Sequence, residues 1–466
     1  MRETLISLRE AIRAGRCSSV EAVTQALSRY ERCRDLNVFI SLDADAALAA
    51  ARAADERWGG SLGSLPPLHG VPLAHKDMFD RQRHRCSFGS RIQQSMTPKA
   101  TSDCVRRLER AGSITLGALN MSEFALGPTG HNATFGHCRN PWDPRRVAGG
   151  SSSGAAVAVA AGIVHGALGS DTGGSLRIPA ACCGVVGLKP THGRISARGS
   201  MPLAPSLDCI GPIAGSVADC AALFELLVSR ASGRSSPTAV AGGRRLRIMY
   251  PAAAIREAAS PEVSAALEAA AESFRAAGVV IEERPLPDIE RMHDLADVVQ
   301  KPESAAVHYE NLRRFRDAYT PHVRRRIEAG FLVAAPAYVR ALAERASHLR
   351  AFVENTLAGA AALLIPTVGC PVPSVEETDE EKCGSQPTLV ARMTRWTRWL
   401  NYLGVPALSV PCGFDSAGCP IGLQLVGRPR CESTLFDLGL LFQERTPWHE
   451  QQPEAPRIVR RRASDE

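Results

Sequence analysis

The residues best suited to chemistry in this sequence are serines set between glycines, together with one lysine in an apolar segment. The stretch Gly149–Gly154 reads GGSSSG, and a second stretch, Gly169–Ala180, reads GSDTGGSLRIPA. Lys76 follows VPLAH in a chain that otherwise uses arginine, since only five of its 55 basic residues are lysine. A serine hydroxyl that is paired with a base can act as a nucleophile. The sequence therefore raises the question of which serine reacts, and with which base.

The first stretch admits two familiar interpretations, and its context favours neither. Gly150–Gly154 matches G-x-S-x-G with Ser152 in the middle, which is the nucleophile elbow of α/β-hydrolases. However, the segment over 140–147 that precedes it is polar and broken by proline, whereas the elbow follows a buried strand. A phosphate cradle would suit a glycine-rich loop at a helix start, but no Gly-Lys-Ser/Thr is present and no G-x-G-x-x-G follows a strand. Both interpretations remain alternatives.

The second stretch follows a predicted strand directly and has the features of an oxyanion hole. Its glycines permit unusual dihedral angles and the close approach of a substrate. Fixed N–H donors of this kind stabilise a charge that develops only in the transition state. Ser175 stands where a nucleophile would stand, and the converging backbone donors are expected from Thr172, Gly173, Gly174 and Ser175. The alternative is that both stretches are tight turns with helix caps.

Lys76 is the candidate base. Arginine does not give up its proton, whereas burial can lower the pKa of a lysine from about 10.4 until the amine accepts a proton near neutral pH. No S-x-x-K precedes any lysine, which excludes the arrangement of penicillin-binding enzymes. None of the twelve histidines lies in an evident triad motif. The alternative is a lysine whose amine reaches solvent or pairs with Asp77.

Taken together, these segments resemble the amidase signature family. The resemblance covers roughly 65–215 strongly and 400–445 more loosely. It rests on the 24 residues that separate Ser151 from Ser175 and on four segments, Gly70–Asp77, Gly149–Gly154, Gly169–Ala180 and Gly184–Thr191. The resemblance implies an α/β fold with a large mixed twisted β-sheet flanked by helices on both faces.

The resemblance also implies a Ser–cis-Ser–Lys triad. Ser175 would attack the carbonyl carbon. Ser151 would pass the proton of Ser175 to a neutral Lys76 and would return a proton to the leaving amine. The Gly150–Ser151 peptide bond is implied to be cis. Two positions depart from the family pattern, since Ser153 replaces the usual glycine and His75 replaces an aliphatic residue.

Supporting and substrate-binding residues follow from the same resemblance. Asp171 is expected to orient the oxyanion loop, Arg177 to pair nearby, and Ser152 to hydrogen-bond at the start of a helix. Substrate contacts are expected in the loop over 121–132, from Met121, Ala125, Thr129 and Gly130. In the helical part over 288–400, three aromatic residues either line an apolar or aryl pocket or belong to ordinary packing: Trp396, Trp399 and Phe331.

The elements that must position these residues alternate between strands and helices, which indicates an α/β layered fold. Ser18 and Glu21 form a capping box at the start of a helix. Strands are predicted near 69–77, 113–118, 165–170, 185–188, 246–250, 279–283, 362–366, 406–411 and 421–426. Further helices are predicted near 43–58, 101–111, 153–164, 216–229, 260–277, 288–358, 387–402 and 432–444.

The length of 466 residues allows a large core, and we predict one compact domain in five parts. A linker or long loop is predicted over 230–244. The five parts are an N-terminal helical segment 1–64, a catalytic core 65–230, a variable and largely helical specificity region 245–400, strands and a helix that complete the core sheet 401–446, and a basic tail 447–466.

The composition of the chain limits the kinds of partner that it is expected to bind. The net charge of +7 is small for this length and is partly due to the tail, so no nucleic acid is expected. The apolar run over 155–169 is too short to span a membrane, and fourteen scattered cysteines without C-x-x-C are typical of reduced thiols in a cytoplasmic protein. We expect a small-molecule amide as the partner, with no metal and no organic cofactor, and we leave a homodimer open.

The function predicted from the resemblance is cleavage of the C–N bond of carboxylic amides through a seryl acyl-enzyme. Broad aliphatic or aryl amide specificity is expected, with side activity on esters or carbamates. The alternative within the family is the A subunit of a tRNA-dependent glutamine amidotransferase. The alternative of another class is a non-catalytic binding protein on the same fold.

Overall fold

One mixed sheet organises the structure, a computed structural model that describes residues 3–57, 65–93, 97–228, 246–379 and 387–454. The predicted linker over 230–244 and the basic tail beyond 454 lie outside these residues. Eleven strands occur in the described chain: β1 (Phe39–Leu42), β2 (Pro72–Lys76), β3 (Ile114–Leu119), β4 (Gly166–Asp171), β5 (Val186–Lys189), β6 (Cys209–Ala214), β7 (Arg247–Met249), β8 (Val280–Glu282), β9 (Ala362–Pro366), β10 (Ala407–Phe414) and β11 (Pro420–Val426).

The strands form a single sheet in the order β1-β3-β2-β4-β6-β5-β10-β11-β9-β7-β8. Strand β2 is parallel to both β3 and β4, and β7 is parallel to both β8 and β9. The remaining pairs are antiparallel. The predicted α/β class with a large mixed sheet is therefore confirmed. Because parallel strands end at the same edge of a sheet, the ends of β2 and β4 meet.

Fifteen α-helices occur in the same residues. The predicted capping box is present at the start of the second helix, where Ser18 Oγ accepts the N–H of Glu21 at 3.0 Å. The helices are α1 (Leu5–Arg13), α2 (Ser19–Arg32), α3 (Ala44–Arg57), α4 (Asp103–Arg110), α5 (Ser153–Ala160), α6 (Arg177–Cys183), α7 (Val217–Leu227), α8 (Ala252–Ala258), α9 (Pro261–Ala276), α10 (Ile289–Phe315), α11 (Pro321–Glu328), α12 (Ala335–Ala351), α13 (Pro387–Thr394), α14 (Arg398–Leu403) and α15 (Glu432–Gln443).

Helix α5 lies in the interior of the protein. All eight of its residues are buried, because they are small and mostly apolar and therefore allow close approach on every side. It packs against β2, β4 and α6. The loop that carries Ser151 and Ser152 therefore continues directly into a buried helix, which begins at Ser153.

The structure contains elements that were not predicted, and it divides one predicted helix. Strands β1 and β6 were not predicted, and β6 reads CIGPIA, whose glycine and proline are poor strand formers. The single helix expected over 387–402 is two helices, α13 and α14, separated by residues 395–397. The prediction that residues 288–358 are mainly helical is confirmed by α10, α11 and α12. Within the described residues, no helix combines the length and the apolar character needed to cross a membrane.

Candidate active site

Lys76 is the last residue of β2, and strand pairing places it beside the end of β4. His75 is paired with Leu168 across the two parallel strands, so Lys76 lies level with the last residues of β4. The Nζ of Lys76 donates to Ser170 Oγ at 2.9 Å and to Ser151 Oγ at 2.7 Å. The side chain is 1% exposed. A buried amine is therefore bridged to two serine hydroxyls.

Burial is the main influence on the charge of this amine. It lowers the pKa of Lys76 to about 7, although the carboxylates of Asp171 and Asp208 act in the opposite direction. The amine does not reach solvent and does not pair with Asp77. The carboxylate of Asp77 instead accepts the N–H of Ser87 at 3.1 Å and also the Ser87 hydroxyl. Lys76 is thus a lysine that is largely neutral slightly above neutral pH.

The loop before α5 brings Ser151 to Lys76. Its Gly150–Ser151 peptide bond is cis, the geometry that the resemblance implies. A Cβ at Gly150 would lie 2.6 Å from the backbone N of Gly130 and 2.7 Å from the carbonyl O of Gly127. Only glycine fits such a close backbone approach. The glycine before Ser151 is therefore required by the neighbouring loop.

Ser152 faces β4. Its Oγ donates to the carbonyl O of Ser170 at 3.2 Å and accepts the N–H of Ser170 at 3.4 Å. Ser152 occupies the N-cap position of α5, where its side chain bonds to Ser170 and makes no capping hydrogen bond. It joins the serine loop to the strand that carries Ser170. The adjacent Ser153, one of the departures from the family pattern, is fully buried.

Ser175 lies between β4 and α6 and lines a cavity. The N–H of Gly174 donates to Asp171 Oδ1 at 2.7 Å, so this donor is occupied inside the loop. This observation corrects its expected place in an oxyanion hole. Across the part of the chain that the structure covers, no hydrogen bond occupies the N–H groups of Thr172, Gly173 and Ser175. Three of the four expected donors are therefore open to a ligand.

A buried ion pair fixes the shape of this loop. Arg177 donates Nε to Asp171 Oδ2 and Nη2 to Oδ1, both at 2.9 Å, and both side chains are fully buried. Burial alone would raise the pKa of Asp171, but the guanidinium outweighs it and the pKa is held at about 2. Asn401 Nδ2 adds a bond of 2.9 Å to Oδ1. The loop is thus anchored to α14 as well as to α6.

The cavity in front of Ser175 has a volume of about 450 Å³. Of the expected substrate contacts, only Ala125 lines it. Met121 is fully buried in the core, Thr129 lines a separate cavity of about 320 Å³, and Gly130 lines neither. The structure therefore does not bring Met121, Thr129 and Gly130 to this cavity, whereas the neighbouring residues from Ala125 to Pro128 line it.

Of the two alternatives for the three aromatic residues, ordinary packing is the one that the described residues show. Trp396 is 1% exposed and Trp399 is 0% exposed, and both belong to the core. Phe331 is half exposed and lies outside the cavity. Charged and polar side chains from the helical region line it instead, namely His293, Asp297, Lys301, Arg325, Arg326 and Arg398.

The sequence analysis did not predict Ser170 or the charged and polar side chains from the helical region that line the cavity, which we call the charged wall. Ser170 lies within a motif that was recognised, and pairing β2 in parallel with β4 would have placed it beside Lys76. No comparable signal identifies Arg398, since its position depends on how α10 and α14 pack. Among the described residues, no group of three or more His, Cys, Asp or Glu side chains is placed to hold a metal ion.

Comparisons with known proteins concern the family and the fold of the whole chain. A family model described as Amidase matches residues 21–436. The A subunit of the glutamyl-tRNA(Gln) amidotransferase of Chloroflexus aurantiacus is 38% identical, with 97% of this chain and 98% of the relative covered.

Solved structures show the same fold over nearly the whole chain. One described as an amidase has a TM-score of 0.85 at 33% identity and covers 95% of this chain and 100% of its own. The A subunit of the glutamyl-tRNA(Gln) amidotransferase from Thermotoga maritima has a TM-score of 0.76 at 30% identity and covers 96% of this chain and 95% of its own. The chain therefore belongs to the amidase signature family.

Proposed function

We propose that this chain cleaves the C–N bond of a carboxamide through an acyl-enzyme on Ser175. The observation that carries the proposal is the 2.7 Å hydrogen bond between Lys76 Nζ and Ser151 Oγ, made by an amine whose pKa is lowered to about 7. A neutral amine in this position can accept a proton through Ser151. A protonated amine has no lone pair that could accept this proton.

The proposed reaction proceeds in two halves. Ser175 Oγ attacks the carbonyl carbon while its proton passes to Ser151 and the proton of Ser151 passes to Lys76. Ser151 then protonates the leaving nitrogen, Lys76 returns its proton to Ser151, and ammonia or an amine departs from an ester on Ser175. In the second half a water molecule attacks the ester carbon while its proton passes through Ser151 to Lys76. The relay then returns that proton to Ser175 Oγ as the bond from Ser175 to the acyl carbon breaks, and the carboxylic acid is released.

The loop around Ser175 supplies the stabilisation of the tetrahedral intermediate in this proposal. The open N–H groups of Thr172, Gly173 and Ser175 are available to the oxyanion. Asp171 and Arg177 act as positioning residues, because their ion pair and the bond from Asp171 to the Gly174 N–H hold the loop in shape.

Within the family, the A subunit of a glutamine-dependent tRNA amidotransferase is the assignment that the relatives favour. The 38% identity to one such protein extends over nearly the full length of both chains. This assignment takes precedence over a broad aliphatic or aryl amidase, and none of Trp396, Trp399 and Phe331 lines the cavity in front of Ser175. In such an enzyme, the amide would be glutamine and the released ammonia would be used by partner subunits.

A second candidate is an amidase that acts without partner subunits. One structural observation favours it, since the TM-score to the structure described as an amidase is 0.85, against 0.76 for the amidotransferase chain from Thermotoga maritima. The difference concerns overall shape and leaves the proposed chemistry at Ser175 the same.

Assays of ammonia release separate these candidates. The purified chain is tested on glutamine and on neutral amides, alone and with amidotransferase partner subunits and glutamate-charged tRNA. Glutaminase activity that rises with the partners supports the amidotransferase assignment. Full activity of the isolated chain, unchanged by the partners, supports the second candidate. Absence of any reaction between Ser175 and a serine-directed inhibitor would contradict both and would favour a binding protein.

A further inference from the structure

Asp208 lies beside the oxyanion loop, residues 172–175, at the start of a neighbouring strand. Strand β6 begins one residue after Asp208, and Asp171 at the end of β4 is paired with Cys209 in the antiparallel ladder. One step further along the same register, Asp208 lies opposite Thr172. Thr172 Oγ1 donates to Asp208 Oδ1 at 2.5 Å. The first residue of the loop is therefore bonded through its side chain to a carboxylate outside the loop.

The other oxygen of this carboxylate holds a segment of the cavity wall. Asp208 Oδ2 accepts the N–H of Leu203 at 2.8 Å and that of Ala204 at 3.1 Å. Leu203 lines the cavity in front of Ser175. The donors to Asp208 are thus one hydroxyl and two backbone N–H groups, and no lysine or arginine in the described part of the chain forms an ion pair with it. One carboxylate connects the oxyanion loop to the cavity wall.

The segment over 203–208 is also held by the helical region. Glu303 on α10 accepts the N–H of Ser206 at 2.9 Å. Arg345 on α12 donates Nη1 to the carbonyl O of Ser206 at 2.8 Å. Because the segment is bonded to two helices as well as to β6, it offers the hydroxyl of Thr172 an acceptor in a fixed position.

Two carboxylates act on the amine of Lys76, and Asp208 is the one without a cationic partner. Burial lowers the pKa of Lys76, and the charges of Asp171 and Asp208 oppose that effect. Asp171 is paired with Arg177, whereas Asp208 has a second carboxylate, that of Glu303, in its surroundings. Burial raises the pKa of Asp208 to about 6, so this residue is mostly ionised at the pH of about 7 where Lys76 loses its proton. The other polar groups at the amine are two neutral hydroxyls, Ser151 and Ser170.

We propose that Asp208 is a positioning residue of this active site, which fixes the oxyanion loop through Thr172 and places a negative charge near the amine of Lys76. It has no part in the proton relay, because neither of its oxygens is bonded to a member of the relay. The inference rests on the proposed function, in which the loop stabilises the oxyanion and the amine acts as the base. It implies that the shape and the charge of the Asp208 side chain have separate effects.

A variant that keeps the shape and removes the charge tests the electrostatic effect. In Asp208→Asn, the amide oxygen can accept the two backbone N–H groups, and the amide nitrogen can donate to Thr172 Oγ1. Loss of an opposite charge lowers the pKa of an amine, so the pH at which kcat/KM falls should move toward acid by about half a pH unit or more. The kcat measured well above that pH should change little. Steady-state hydrolysis of a neutral amide from pH 5 to 10 measures both quantities.

Two variants that keep the charge test the positioning effect. Asp208→Glu displaces the carboxylate, and Thr172→Val removes the hydroxyl that it binds. Each should lower kcat by about tenfold, which is less than the 10²–10³-fold typical of a lost oxyanion donor, and should leave the pH at which kcat/KM falls close to that of wild type. Asp219→Asn is the matched control, because Asp219 is a buried carboxylate on α7 that accepts the N–H of Ile6 at 3.0 Å. It should change neither quantity.

Three results would overturn the inference. The first is a pH profile of Asp208→Asn that coincides with that of wild type. The second is an equal shift of the profile in Asp219→Asn, which would mean that any lost buried carboxylate has this effect. The third is a kcat of Thr172→Val equal to that of wild type, which would mean that the bond to Asp208 does not fix the loop.

A direct titration of Lys76 separates this inference from the proposed function. The chain contains only five lysines, so protein labelled isotopically at the Cε of lysine gives few signals in an NMR spectrum, and Lys76→Arg identifies that of Lys76. If wild type hydrolyses no amide but Asp208→Asn lowers the titration midpoint of Lys76, the acyl-enzyme proposal fails and the charge effect of Asp208 stands. If wild type hydrolyses amides and the midpoint is the same in both proteins, the inference fails and the acyl-enzyme proposal stands.

Discussion

The Nζ of Lys76 lies 2.7 Å from the Oγ of Ser151, although the two residues are 75 positions apart. Two features produce this contact. Strand β2 ends at Lys76 beside the parallel strand β4, and the loop before α5 is held to β4 by Ser152. The contact is fully buried, and burial is what brings the pKa of the amine down to about 7. The fold therefore sets both the position and the pKa of the Lys76 amine, on which the proposed proton transfer depends.

The Lys76→Arg variant should be nearly as inactive as Lys76→Ala. Arginine keeps the positive charge but gives up no proton at working pH, so it cannot act as the base. Loss of a general base is expected to lower kcat by about 10²–10⁴-fold in both variants. Steady-state amide hydrolysis measures the effect, with a Lys99→Arg variant as the control because Lys99 is exposed. A largely active Lys76→Arg enzyme would show that the base lies elsewhere.

The rate should depend on pH through the ionisation of Lys76. Below a pH of about 7 the amine is protonated and inactive, so kcat/KM should fall about tenfold for each pH unit. Above that pH the amine is neutral and the profile should level off. The profile is measured from pH 5 to 10 with a neutral amide. A rate that is still rising at pH 9 would mean that burial does not lower this pKa as described.

Ser170 should influence turnover although it does not line the cavity. Its Oγ accepts a hydrogen bond from Lys76, which orients the amine toward Ser151. We expect Ser170→Ala to lower kcat by about fivefold with little change in KM, since one neutral hydrogen bond contributes about 1 kcal/mol. Ser170→Thr keeps the hydroxyl and should restore most of the rate. Equal kcat in wild type and Ser170→Ala would show that Ser170 does not orient the amine of Lys76 for turnover.

Ser152→Ala should affect stability more than catalysis. The mutation leaves the N–H and carbonyl O of Ser170 without their buried partner. The expected cost is about 1–3 kcal/mol in the free energy of unfolding, with kcat reduced only slightly. Urea unfolding and steady-state kinetics on the same preparation measure the two effects. Inactivation comparable to that of Ser175→Ala, with normal stability, would instead support a nucleophile elbow centred on Ser152.

The fold could be predicted from the sequence wherever the pattern is local. Strand β9 was predicted with the bounds observed, and the capping box at Ser18 was found because its two residues interact within one turn. Strand β6 was missed because its stability comes from burial between β4 and β5 and not from its own composition. The break between α13 and α14 has no proline or glycine to mark it.

In the candidate site, too, residues within local motifs could be predicted, and features that depend on tertiary packing could not. The contact between Lys76 and Ser151 could be predicted because both residues lie in motifs with fixed spacing, and the catalytic role of Ser175 stays a prediction. The donor set was only partly right, because the bond from the Gly174 N–H to Asp171 depends on side-chain geometry. The charged wall was not predicted at all. Its residues come from α10, α11 and α14, which approach the cavity only after tertiary packing.

The central claim, that Ser175 forms the acyl-enzyme with Lys76 as the base, is tested most directly by locating a covalent adduct. The protein is treated with phenylmethanesulfonyl fluoride, digested, and analysed by mass spectrometry. We predict a single adduct on Ser175, at least a roughly hundredfold slower modification in Lys76→Ala, and no adduct on Ser152. An adduct on Ser152, or modification of Ser175 at the same rate with and without Lys76, would contradict the account.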